Sequence, residues 1–223
     1  MKSLVLAATL WGLGGLVYIA AETIAARAFP GYRYGFNYIS DLGVPIPETF
    51  DGRLINSPLS WVMNAGFIGE GLLYFLAALC AFQFLPAGKA RVTLLALGLA
   101  HGVGMTLVGT FHGAQQTAEN GTGVLHALGA VIAIVGGNSV SVCVGIAGFR
   151  YGLPKALCRI SIALGTIGLV SLAMWLANRL VGPIVFADAV WERGSVYSIT
   201  VWELYLSADI LRRALRGNLT VVP

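Results

Sequence analysis

Six apolar runs, at roughly residues 4–27, 59–85, 92–111, 124–149, 157–181 and 195–211, leave this chain few ways to fold. Each is long enough as a helix to cross a membrane, which takes at least about 17 residues. With 57% hydrophobic and 11% charged residues, a soluble fold would need nearly every helix buried on all sides. The 29 glycines fit the membrane alternative, because small residues let spanning helices approach closely. The expected fold is therefore all-α: one polytopic transmembrane bundle of six helices over residues 1–223. The last run is the shortest and most polar. Leu180 to Ala189 is also apolar but contains Gly182 and Pro183, and reads as an outer loop or short interfacial helix.

Basic residues set the expected orientation. With the N-terminus inside, the cytoplasmic side receives Lys2, Lys89, Arg91, Arg150, Lys155, Arg159, Arg212, Arg213 and Arg216. The other side receives Arg27, Arg33, Arg53, Arg179 and Arg193, and the loop at about 112–123 has no Lys or Arg. The positive-inside rule then puts both termini in the cytoplasm of a multi-pass cell-membrane protein. The net charge of +4 is scattered in twos and threes between apolar runs, with no basic stripe for nucleic acid. Lys2 and the small residues Ala20-Ala21 imitate a signal peptide, but the apolar run exceeds an h-region and reads as a retained helix. Cys80, Cys143 and Cys158 fit no metal pattern and read as small buried thiols. The inner turns, Pro86-Ala87-Gly88-Lys89-Ala90 and Tyr151-Gly152-Leu153-Pro154, are short, whereas the outer connection from Pro30 to Pro58 is long. Long polar loops on a rigid scaffold are where binding usually concentrates.

That long connection holds Asn37-Tyr38-Ile39-Ser40-Asp41-Leu42-Gly43, a polar cluster that needs water, partner groups or a ligand beside a membrane. This segment resembles the S-[DE]-L-G element that follows helix one in the DUF998 family of six-helix membrane proteins. Asn64 with Gly66-Phe67 and Gly69 is similar to the start of that family's second helix. Gly109-Thr110-Phe111, followed by Leu125-His126 and Gly129-Ala130, resembles its G-x-F…H-x-x-x-A element. Glu192-Arg193 followed by Trp202 resembles its E-R…W element before and within the last helix. His112-Gly113 stands where family members often have Pro-Glu. The resemblance implies a six-helix fold and a polar site, and carries no activity with it.

Two groups of residues are candidates for chemistry. Glu22, Glu70, His101 and Glu203 sit within spans, where an ionisable side chain faces the bundle interior and a partner. Asn37, Ser40, Asp41, His112, His126, Glu192 and Arg193 gather in one interfacial layer of the six-span topology. Asn37, Ser40, Asp41, His126, Glu192 and Arg193 are the expected ligand-binding set, with Arg193 suited to a phosphate or carboxylate. The bland readings are turn capping for Asp41 and an interfacial ion pair for Glu192-Arg193. His112, His126 and Asp41 are the only metal candidates, and no paired zinc spacing such as HExxH supports them. His101 lies eleven residues from His112, about 16 Å along a helix, and cannot join both other histidines. No cofactor and no nucleophile elbow is indicated, and no catalytic residue can be named.

The leading expectation is a membrane protein with a polar pocket open to the outer leaflet, binding a lipid or small amphiphile, with membrane lipids as partners. The alternatives are a metal-dependent intramembrane hydrolase and a small proton-coupled transporter using Glu70, His101 and Glu203.

Overall fold

The computed structural model describes residues 2–84, 88–150 and 152–217. Leu85, Pro86 and Ala87, which end the second expected span and open the first inner turn, and Tyr151 of the second turn lie outside the described residues. Six long helices are present: α1 (Lys2–Ala28), α2 (Ser60–Ala81), α3 (Lys89–Thr110), α5 (Gly123–Arg150), α6 (Lys155–Val181) and α7 (Asp188–Leu215). A short helix, α4 (Gln115–Glu119), lies between α3 and α5. Five of the long helices (α1, α2 with its 3-10 extension to Phe84, α3, α5 and α6) are long and apolar enough to cross a membrane. The chain is thus a multi-span helical protein.

The α7 helix differs from expectation in two ways. It begins seven residues before position 195, so Glu192 and Arg193 lie on its first turns and not in a preceding loop. It is also too polar to count among the apolar spans. The cause is visible in its packing, because its polar side chains point inward: Arg193, Ser195, Ser198, Thr200, Glu203 and Ser207 are all buried. Leu180–Ala189 forms no interfacial helix either. Helix α6 runs on to Val181, stops at Gly182 with φ +88°, and passes through Pro183 into α7.

The long helices close into a ring in the order α1–α2–α3–α5–α6–α7, with α7 returning to α1. Neighbours run antiparallel, so both described chain ends lie opposite the connection from α1 to α2. Glycines set the close approaches. A Cβ at Gly104 would lie 2.5 Å from the Gly129 carbonyl, and one at Gly71 2.6 Å from the Met105 Cβ. The outward faces carry Leu16, Ile24, Leu72, Leu99, Val103, Ile167 and Val170, all exposed. Apolar residues outside and small or polar ones inside is the arrangement of a bundle solvated by lipid.

Two apolar layers fill the ring. One, toward the chain ends, centres on Trp11, Tyr74 and Trp202. The Trp202 Nε1–H donates to Ser161 Oγ at 3.0 Å, satisfying the one polar atom of a fully buried ring. The other, toward the α1–α2 connection, joins Tyr18, Met63, Phe67 and Met105 to Ile39, Leu42, Val44 and Ile55 of that connection. The connection is therefore part of the core. It also contains one element that an all-α expectation omits, the hairpin β1 (Glu48–Phe50) and β2 (Arg53–Ile55). Its turn is Asp51-Gly52, both with positive φ (51° and 74°), the two-residue geometry that matches strand twist.

Candidate functional site

The polar segment folds because its own residues and α7 satisfy its backbone. A 3-10 turn, Ser40–Gly43, places Asp41 at 1% exposure. Burying a carboxylate there requires partners, and β2 supplies the main one. Arg53 Nε donates to Asp41 Oδ2 at 3.0 Å and Nη2 to Oδ1 at 3.1 Å, a bidentate fork. The Tyr38 N–H adds a third donor at 3.0 Å, and the Arg53 guanidinium lies 4.0 Å over the Tyr38 ring. The hairpin turn thus aims Arg53 back at a residue twelve positions earlier.

Helix α7 holds the same segment from the other side. The Glu192 carboxylate accepts the Ile39 N–H at 2.6 Å and, more weakly, the Ser40 N–H at 3.4 Å. Arg193 Nη1 donates to the Asn37 carbonyl at 2.7 Å, and Nη2 donates to the Tyr32 hydroxyl. The Tyr38 hydroxyl donates to Asp188 Oδ2 at 2.9 Å.

Beneath this frame lies a cavity of about 580 Å³. That is the size of a small-molecule site. Tyr38, Ile39 and Ser40, together with Phe50, Asp51 and Arg53 of the hairpin, form one part of its wall. Thr117 and Ala118 of α4 form another. The Gln115 N–H ties α4 to Glu48 Oε1 of β1 at 2.7 Å, so helix and hairpin form one cover. Deeper walls are apolar: Phe67, Met105, Val108, Ala130, Ile134, Leu172 and Val196. The Tyr18 hydroxyl, on a side chain 1% exposed that also lines the cavity, has no hydrogen-bond partner.

Helices α5 and α6 supply one wall of the cavity. They pack closely where Gly145 meets the Cys158 carbonyl and Gly165 meets the Asn138 carbonyl. Gly168, against the Asn138 side chain, is the last such contact. Beyond it, Leu172, Trp175 and Arg179 of α6 and Ala127, Val131 and Ile134 of α5 face the cavity. Val124 and Ala127 of α5 line the cavity and are exposed.

Of the residues expected to bind a ligand, Ser40, His126 and Glu192 line this cavity. Asn37, Asp41 and Arg193 do not line it and instead hold the segment that does. His126 Nδ1 donates to the Phe111 carbonyl at 2.8 Å, so Nε2 is left as an acceptor. His112 Nε2 accepts from Asn64 Nδ2 at 3.2 Å, and burial pushes this imidazole down toward its neutral form. Among the described residues no three His, Cys, Asp or Glu side chains group to hold a metal ion, and His112, His126 and Asp41 are engaged separately.

Glu22 accepts the Tyr197 hydroxyl at 2.6 Å. Glu70, His101 and Glu203 lie deeper and do not line the cavity. Arg53, Asp51, Trp175 and Arg179 line it without having stood out in sequence as site residues, as does Tyr38 of the polar segment, which was not among the expected ligand-binding residues. The Asp51-Gly52 dipeptide is a hairpin signal that would have brought Arg53 to notice. Arg179, half-exposed, is drawn to the cavity by Asp51, whose Oδ2 it meets at 2.6 Å. This contact holds the Asp51 carboxyl below its usual range.

No curated protein and no solved structure matches the chain. The model of DUF998, a family described as a protein of unknown function, matches residues 13–209. That stretch contains the polar segment, the cavity walls and nearly all of α7, and the chain belongs to the DUF998 family.

Proposed function

We propose that this protein binds one lipid or small amphiphile in the cavity, drawing it from the outer leaflet of the cell membrane. In this reading α7 is the sixth span and both termini are cytoplasmic, following the Lys and Arg asymmetry. The observation that carries the proposal is a cavity of about 580 Å³ with apolar deep walls, whose lining includes the exposed Val124 and Ala127 of α5. An apolar chain entering there would remain in hydrocarbon-like surroundings from bilayer to Met105 and Ile134. The polar end would meet Ser40, His126, Arg179 and Glu192 at the rim.

Native mass spectrometry on protein in vesicles of phosphatidylethanolamine and phosphatidylglycerol tests this. Wild type is expected to retain one lipid per chain. Ala130→Trp, which fills the cavity, should lose that lipid while its melting temperature stays close to wild type. An undiminished lipid adduct in a folded Ala130→Trp, or a wild type that carries none, would overturn the reading.

A further inference from the structure

Away from the cavity, three ionisable side chains meet inside the bundle. Glu70 of α2, His101 of α3 and Glu203 of α7 are exposed by 2%, 2% and 0%. They sit at the level between the two apolar layers, with the Tyr74 ring 4.2 Å from the imidazole. We propose that Glu203 is a proton-binding site in the interior of the bundle, with the Glu70–His101 pair as its neutral neighbour.

The proton count follows from the geometry. His101 Nδ1 lies 2.8 Å from the Ala133 carbonyl, which can only accept, so Nδ1 carries a hydrogen. Nε2 lies 2.9 Å from Glu70 Oε1, and a contact that short between two acceptors also needs a proton. That proton sits on the imidazole facing a carboxylate, or on Glu70 facing a neutral imidazole. The pair has zero net charge in either placement, and it leaves no positive charge over for Glu203.

Glu203 has no such partner. Among the described residues, neither of its carboxyl oxygens has a hydrogen-bond partner, although the side chain is fully buried. A carboxyl that served only to join helices would be bonded through at least one oxygen. The surrounding elements offer it no cation. Helix α1 brings Gly14, and α2 brings Glu70 and Tyr74, whose hydroxyl donates to the Gly137 carbonyl. Helix α3 brings His101, already committed to Glu70 and Ala133. Helix α5 presents backbone carbonyls there, and Ser161 of α6 is engaged by Trp202. The buried arginines, Arg53 and Arg193, belong to the region around the α1–α2 connection. An unpaired buried carboxylate is far costlier than the neutral acid, so the acid form occupies the site.

Helix α1 packs directly against it: a methyl group built on Gly14 would lie 3.3 Å from Glu203 Oε1, closer than an ordinary contact. The proposal stands independently of any ligand in the cavity.

Infrared spectroscopy of the protein in vesicles of phosphatidylethanolamine and phosphatidylglycerol at neutral pH is the test. A protonated carboxyl has a C=O band that a carboxylate lacks, and the band shifts when the proton is replaced by deuterium. Wild type should show this band, and it should shift in D2O while the protein stays folded. The wild-type-minus-Glu203→Gln difference spectrum should contain this band, and Glu203→Asp should return it at a shifted position. Absence of the band in wild type would overturn the proposal, as would a difference spectrum with no protonated-carboxyl component. A band that shifts only on unfolding would mark a sealed structural acid, and one abolished by sodium at constant pH would mark a metal-cation site. Both outcomes also overturn it, and both are read on wild type, whether or not the variants fold.

Discussion

Replacing Asp41 by Asn is the sharpest test of how the polar segment is held. The substitution keeps the shape but removes the charge facing Arg53, whose side chain is 8% exposed against 1% for Asp41. Arg53 then keeps only contacts of 3.4–3.5 Å to Asp51, too long to replace a bidentate fork. Breaking one side of a buried pair costs about 3–5 kcal/mol. For a chain of this size each kcal/mol lowers the melting temperature by roughly 2–4 °C, so Asp41→Asn should lose roughly 6–20 °C. Asp51→Asn breaks an exposed contact worth under about 1 kcal/mol and should lose at most about 4 °C. Asp41→Asn combined with Arg53→Gln should cost less than the sum of the single changes, because the second removes the charge the first leaves stranded. Thermal unfolding in one detergent, followed by tryptophan fluorescence, reads all five proteins: wild type, the three single variants including Arg53→Gln, and the double variant. An Asp41→Asn no less stable than Asp51→Asn would refute the view that this fork organises the segment.

Gly168 of α6 meets the Asn138 side chain of α5 and the Ser198 side chain of α7. Gly168→Ala should cost about 1–3 kcal/mol by overpacking, read as a lower melting temperature, and an unchanged value would place the helices further apart than described here.

Much of the architecture was legible because hydrophobic length is a local property. The runs at 4–27, 124–149 and 157–181 became α1, α5 and α6 with ends moved by one or two residues. Helix α7 was harder to delimit, because its inward polar residues weaken the apolar signal that marks a span. The role of Glu192 and Arg193 was invisible for a different reason. Their partners are backbone groups of Asn37, Ile39 and Ser40, and backbone groups leave no trace in residue identity. Arg53 was hidden by a hairpin turn that also decides which way its side chain points.

Sequence alone determined that this chain is a bundle of long apolar helices, since burying so much apolar surface admits few alternatives. It also marked Glu70, His101 and Glu203 as interior residues, because an ionisable group is costly anywhere else in a span. Tertiary structure decided which of them are partnered, for that depends on helix rotation and on where glycines let backbones meet. It also decided that a cavity lies behind the polar segment, because the space left unfilled depends on how several helices and the connection are placed against one another.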